Sequence, residues 1–296
     1  AARHGLTRAS LGVQNLSPEV QAAVNRIEHI EDIAACVSWL RDAGVRSINF
    51  DLMYGLPRQT VANTLSTLDG VLRLRPERLA LFGYAHVPWM KPHQKLLETS
   101  PLPGPAERLD QAEAAAEHLA AEGYVRIGLD HYALPTDELA VAAGEGRLHR
   151  NFQGYTTDAA RTLLGLGASA IGSLPEGFVQ NVSQELGWRA AVMKEDLPIT
   201  RGVALTPDDR LRGEIIERLM CDLAVDLAAV CARHERPLSG LAQARARLAS
   251  FAADGLLEID GAKLRAVGDG RLVIRSICAA FDPYLQPEAK RHAKAI

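Results

Sequence analysis

Cysteine is scarce: Cys36, Cys221, Cys231 and Cys278 are the only four in 296 residues, and none are spaced C-x-x-C. That spacing excludes a zinc knuckle and a dithiol redox pair, and it makes a reduced, cytoplasmic protein the expectation. No apolar run approaches the roughly 18 residues of a membrane span. No basic start followed by an apolar core marks a signal peptide. An excess of one charge is missing too. Lys and Arg number 33 against 36 Asp and Glu, a formal charge of -3, which argues against nucleic-acid binding driven by bulk charge. His, Asp and Glu nowhere fall at metal-ligand spacing. Gly165-x-Gly167 lacks the third glycine of a dinucleotide fingerprint, and no P-loop occurs. There is no internal repeat, no low-complexity segment and no initiator Met.

The apolar fraction of 47% and charged fraction of 23% fit a globular chain and exclude disorder. Its length suggests about two domains. Up to about residue 135, strands alternate with helices. Ser10–Gln14 and Ser47–Tyr54 read as strands, the second with Ile48, Phe50 and Leu52 on one face and Asn49 and Asp51 on the other. Leu79–Ala85 is apolar almost throughout, as in a sheet covered on both faces. Ile27–Leu40 has helical spacing and stops at Gly44. Val61, Leu65, Leu68 and Leu72 mark a second helix, Ala106–Ala121 a third, and Tyr124–Leu129 the next strand. Such alternation implies parallel strands with right-handed crossovers.

The middle, from about Pro135 to Thr200, is irregular and polar, as functional segments often are. Thr206-Pro207-Asp208-Asp209 then starts a helix, with Thr as cap and Pro in the first turn, and Leu211, Ile215, Leu219 and Leu223 form its stripe. A helix over Leu241–Phe251, a hairpin turning at Asp260-Gly261 and a final helix from about Arg271 resemble a winged-helix module. The expected domains are 1–200 and 201–296.

In parallel barrels the working residues sit at the C-terminal ends of strands. That rule selects Gln14, Asp51 with Tyr54-Gly55, and Ala85-His86. A carboxylate there can accept hydrogen bonds from a ribose diol, or it can simply hydrate a strand end. Asp130-His131 follows a strand in the same way, where a structural histidine is the bland alternative. The run His149–Gln153 could bind carboxylates through Arg150 or be a solvated loop, and composition does not decide between them.

Four segments occur in order: Ser10–Gln14, Asn49–Pro57, Gly83–Pro88 and Gly128–Tyr132. With the tail Arg275–Asp282 they resemble oxygen-independent coproporphyrinogen III oxidase, a radical S-adenosylmethionine family of haem biosynthesis. The likeness runs along essentially the whole chain. The run Leu148–Thr157 resembles the oxidases proper, whereas related haem chaperones, the alternative reading, usually carry a different segment there. The resemblance implies an α/β fold: the C-terminal portion of a partial parallel (β/α)6 barrel, followed by a mostly helical, winged-helix-like domain. It implies S-adenosylmethionine and a [4Fe-4S] cluster as cofactors. The substrate would be coproporphyrinogen III, two of whose propionates become vinyl groups. An unidentified electron donor is a further partner, while nucleic acid and membrane are not, and a monomer is expected.

By position, Gln14, Arg26, Asp51, Ala85 and Ile171 match the family's S-adenosylmethionine-binding residues. Phe152 and Gln153 match residues near the reacting groups. His149 and Arg150 are candidates for propionate binding on charge and place alone. No residue of the chain matches a metal ligand, because the family's C-x-x-x-C-x-x-C motif is absent and is expected N-terminal to Ala1. This chain expressed alone is therefore expected to bind no iron and to have no oxidase activity. An iron–sulfur absorbance band after anaerobic reconstitution would contradict that.

Overall fold

Strand β1 (Arg8–Gln14) pairs in parallel with β2 (Ser47–Tyr54), and β2 with β3 (Arg78–Gly83), in the computed structural model, which describes residues 5–152 and 154–285. Strand side chains alternate between faces. Ile48, Phe50 and Leu52 therefore share one face and are at most 1% exposed, while Asn49, Asp51 and Met53 lie half-buried on the other. Helices α1 (Pro18–Val24) and α2 (Ile30–Asp42) follow β1, α3 (Val61–Leu72) follows β2, and α4 (Pro105–Ala121) comes after β3. Val37, Leu68, Val71 and Leu119 from these helices join the apolar strand residues in one core.

The helix ends follow their sequence signals. Gly44 has φ +90°, its N–H donates to Arg41 O at 2.9 Å, and Val45 N–H donates to Leu40 O at 3.0 Å. This paired closure needs a residue in the left-handed region, which glycine enters without a Cβ penalty. Thr60 caps α3 by accepting from Asn63 N–H.

The parallel strand expected over Tyr124–Leu129 is instead the first arm of a hairpin. Strand β4 (Val125–Ile127) reverses through Gly128, at φ +55°, and returns as β5 (His131–Ala133). β5 then pairs antiparallel with β3, so the sheet runs β1-β2-β3-β5-β4 and is mixed. The α/β class stands, and no closed barrel forms among the described residues.

At the N-terminal ends of the strands, Arg78 Nε lies 2.8 Å from both carboxylate oxygens of Asp137. Asp137 also caps α5 (Glu138–Gly144) by accepting from Leu139 N–H. Glu138 adds contacts to Arg78 at 3.2 Å and to Arg8 at 2.6 Å. The Arg78 and Asp137 side chains are only 11% and 5% exposed.

Two compact units divide the chain: residues 5–146 with 284–285, and Arg147–Pro283. The second begins with the hairpin β6 (His149–Asn151) and β7 (Gly154–Thr156). An antiparallel sheet of β8 (Ile171–Leu174), β9 (Gly177–Asn181) and β10 (Ile199–Ala204) follows, with α6 (Glu185–Met193) between its last two strands. The composition shift placed at 200/201 falls within β10. Helix α7 (Pro207–Asp222) starts on the Thr206 capping box as expected, with Leu211, Ile215 and Leu219 buried.

Leu223 does not continue that stripe: at φ +58° it terminates the helix. Strand β11 (Ala224–Asp226) and helix α8 (Leu227–Arg233) come next and were not foreseen. The helix expected at Leu241–Phe251 is broken at Leu248 into α9 (Ala242–Arg247) and α10 (Ala249–Ala253). Strands β12 (Leu257–Asp260) and β13 (Lys263–Ala266) form the hairpin, whose turn is Gly261-Ala262, one residue later than expected. β13 lies between β11 and β12, and α11 (Ile274–Ala279) closes a winged-helix order of elements. No described helix is long and apolar enough to cross a membrane.

Removing Asp137 leaves the buried Arg78 charge only the 3.2 Å contact to the exposed Glu138. Asp137→Ala in the intact protein is expected to cost about 3–5 kcal/mol, and Arg8→Ala at the exposed end of the network less than about 1 kcal/mol. Urea unfolding of the two variants checks this; equal losses would contradict it.

Candidate functional site

Register brings the polar strand-end residues together. Gly12 lies opposite Asp51, Asp51 opposite Ala80, and Ala80 opposite His131. Cross-strand partners share a face, so Ser10, Asn49, Asp51 and His131 all lie on the face opposite the helix-packed core. Ser10 Oγ donates to Asp51 Oδ2 at 2.8 Å. Asn49 Nδ2 donates to Ser10 Oγ and to Asp51 Oδ1, both at 2.8 Å. The Asp51 carboxylate is thus fixed through both oxygens. Asn49 Oδ1 is buried and without a hydrogen-bond partner. An unpaired buried acceptor is costly, and a ligand donor on this face would satisfy it.

The end of β1 is distorted where Gln14 sits. The pairing with β2 slips between Gly12 and Gln14, and Gln14 has φ +62°. Non-glycine residues in that region are strained and concentrate at functional sites. The slip folds the Gln14 side chain back over Gly12, where a Cβ would lie 2.8 Å from Gln14 Nε2 and 3.3 Å from Arg26 Nη2. Arg26 reaches the same point and donates to Gly12 O at 2.6 Å, with Glu28 pairing its guanidinium at 2.9 Å. Gln14 and Arg26 therefore meet over Gly12, whose register partner on β2 is Asp51.

Buried Gln21 places Arg26: its amide donates to Asn15 O and Glu28 O and accepts from Glu28 N–H. The sequence reading missed Gln21 and the short helix α1 that carries it. The signal was there, since Ser17-Pro18-Glu19 is a cap, a first-turn proline and a first-turn acid.

A carboxylate, a guanidinium, a carboxamide and an orphaned acceptor on one face fit a ligand with an ammonium, a carboxylate and a ribose diol. S-adenosylmethionine is such a ligand. Ala85 lies in the loop after β3, where Gln94 shapes the backbone by donating to Ala85 O at 3.0 Å and accepting from Val87 N–H at 2.6 Å. Ala85 is exposed. On Asp130-His131, the Asp130 carboxylate lies 2.7 Å from His131 Nδ1, and Phe82 stacks edge-on against the imidazole at 5.8 Å.

Ile171, Phe152, His149 and Arg150 belong to the second unit. Ile171 starts β8, half-buried. The glycine-rich run before it is a packing device: a Cβ on Gly165 would lie 2.8 Å from the Ile171 carbonyl carbon. Asn181 Nδ2 donates to both Gly165 O and Gly167 O. Phe152 is 54% exposed and packs edge-on against Phe178 at 5.2 Å. Gln153 lies outside the described residues. His149 Nδ1 is 3.1 Å from Glu217 Oε1, and the Arg150 guanidinium lies 5.4 Å over the Tyr155 ring. His149, Phe178 and Glu217 are among the residues lining an open groove of about 600 Å³.

Comparison with known proteins adds the following. A family profile described as the HemN C-terminal domain matches residues 205–273. An oxygen-independent coproporphyrinogen III oxidase of Bradyrhizobium diazoefficiens is 49% identical over 99% of this chain and 65% of its own length. The Escherichia coli protein of the same name is 40% identical over 97% of this chain and 63% of its own length. A solved structure of the Escherichia coli coproporphyrinogen III oxidase, described as a radical SAM enzyme, superposes with a TM-score of 0.90 at 40% identity. It covers 96% of this chain and 65% of that one. The chain thus spans a little under two thirds of the length of these relatives.

An iron–sulfur cluster does not fit the residues present. Among the described residues no group of His, Cys, Asp and Glu could hold a metal, and such clusters need several converging thiolates. Cys221 and Cys278 are buried, and burial pushes both thiols up to about 12; burial also raises Cys231. Cys36 is half-buried. Because the thiolate is the reactive form, a thiol reagent at pH 8 is expected to label Cys36 in the native protein and the other three only after denaturation. Labelling of all four at similar rates would contradict this placement.

Proposed function

The chain belongs to the oxygen-independent coproporphyrinogen III oxidase family, and we propose that it supplies the S-adenosylmethionine-binding strand ends and the substrate-facing segments of such an oxidase. The activity is the oxidative decarboxylation of two propionates of coproporphyrinogen III to vinyl groups, giving protoporphyrinogen IX. The observation that carries this reading is the meeting of Gln14 and Arg26 over Gly12, the register partner of Asp51. The identity of 40–49% to oxidases of that name supports it.

When bound, S-adenosylmethionine supplies the radical that takes a hydrogen from the substrate. The residues of this chain bind and orient. Asp51, held by Ser10 and Asn49, presents a carboxylate to hydroxyl or ammonium donors. Arg26 offers a positive charge to a carboxylate, and Gln14 can both donate and accept. Ala85 offers backbone and apolar contact to the adenosine, and Ile171 is assigned an adenosine contact by resemblance alone. Phe152 and Gln153 are assigned to the neighbourhood of the reacting groups by their resemblance to the family alone.

Arg150 is suited to a propionate. A cation over an aromatic ring keeps its in-plane N–H donors, and these match a carboxylate with two parallel hydrogen bonds. His149 flanks it. The family's cluster has no ligand among the described residues, so the share of this chain is recognition and positioning. An electron donor, a monomeric state and a cytoplasmic setting belong to the same proposal.

The test is anaerobic incubation of the full-length protein with S-adenosylmethionine and coproporphyrinogen III. Production of 5′-deoxyadenosine, carbon dioxide and protoporphyrinogen IX is expected, whereas haem binding without turnover would favour the chaperone alternative. Hydrogen bonds to a charged group are worth about 1.5–3 kcal/mol, so Asp51→Ala is expected to weaken S-adenosylmethionine binding about ten- to a hundredfold in equilibrium dialysis. Unchanged affinity would refute that role. Arg150→Ala should raise KM for the porphyrinogen, and an unchanged KM would remove Arg150 from the substrate site.

A further inference from the structure

We infer that Glu217 is a positioning residue: it clamps the β6–β7 hairpin to helix α7 and thereby fixes where Phe152 stands. This rests on the reading of Phe152 as a residue near the reacting groups.

The hairpin pairs His149 with Thr156, Arg150 with Tyr155 and Asn151 with Gly154. Phe152 therefore follows directly on the first arm, and Gly154, at φ +133°, opens the second. Because the register closes at Asn151 and Gly154, the place of Phe152 is tied to that of the arms. Where Phe152 points depends on how the arms are held.

The arms are held by the last turns of α7. Arg218 Nη2 donates to Leu148 O at 2.6 Å, and Tyr155 OH donates to Met220 O at 3.0 Å. Between these two anchors, Glu217 Oε1 gathers both the Arg150 N–H and His149 Nδ1, each at 3.1 Å. One carboxylate oxygen thus holds the backbone and the side chain of adjacent residues, just before the tip.

Helix α7 does not need this contact for its own folding. It is capped at Thr206 and closed at Leu223, and Leu211, Ile215 and Leu219 are buried on another stripe, while buried Met220 and Cys221 adjoin Glu217 one turn on. The clamp serves the hairpin. It also gives the C-terminal module, whose family match begins at residue 205, a task in the reaction: holding a catalytic segment in place.

The experiment uses the full-length protein with Glu217→Ala and Glu217→Gln. In the alanine variant, amide exchange over residues 148–156 should accelerate about tenfold, as loss of roughly one hydrogen bond's free energy implies. S-adenosylmethionine cleaved per propionate converted should rise several-fold. Gln retains an acceptor oxygen and should restore both readouts in large part. If the alanine variant does not fold, Glu217→Asp, one methylene shorter, withdraws the carboxylate with its charge kept and should give the same pair of changes.

Unchanged exchange in a folded variant overturns the inference, as does faster exchange with an unchanged cleavage ratio. Phe152→Ala run in parallel separates the two levels. A raised ratio there without one in the Glu217 variants overturns the clamp alone. An unchanged ratio in Phe152→Ala overturns the reading of Phe152, and the inference with it.

Discussion

Ile48, Phe50, Leu52, Leu79 and Leu81 hold three parallel strands against α2, α3 and α4. A strand has a period of two residues, so fixing these side chains also fixes the ones between them. Ser10, Asn49 and Asp51 are left on the other face with no choice of direction. Their mutual hydrogen bonds then set the Asp51 carboxylate in one orientation. The site is therefore a by-product of core packing, refined at one point where the register slips and Gln14 turns back over Gly12.

Around this sheet, buried amides organise the loops. Gln21 fixes the segment carrying Arg26. Gln59 and Gln111 do the same after β2, with Gln111 accepting from Gly55 N–H and Gln59 donating to Met53 O. Gln94 fixes the loop at Ala85, and Asn181 the loop at Gly165 and Gly167. A neutral amide can donate and accept at once, so it satisfies irregular backbone without importing a charge. At the opposite end of the strands, the buried Arg78–Asp137 pair closes the sheet against α5.

Much of this was legible in the residue pattern. The apolar alternation of Ser47–Tyr54, the stop at Gly44 and the start at Thr206-Pro207 are local signals, and each element stands where they place it. Asp51 and Gln14 were selectable because strand ends in parallel sheets point to function. The β4–β5 hairpin was not legible: strands of three residues carry too little periodicity to separate a reversal from a continuing strand. Arg78 and Asp137 are 59 residues apart, and nothing local joins them. Gln21 and Gln59 escaped notice because glutamine is usually a surface residue, and only the folded loops reveal what the amides satisfy. Phe152 was chosen by resemblance, and only the structure shows it beside a hairpin arm whose His149 and Arg150 bond to Glu217.

The most direct measurement is an anaerobic crystal structure of the full-length protein with S-adenosylmethionine bound. The ligand is expected on the open face of β1–β2, with a donor on Asp51 and its carboxylate near Arg26. Ligand elsewhere, with Asp51 still contacted only by Ser10 and Asn49, would contradict the assignment of this face as the cofactor site.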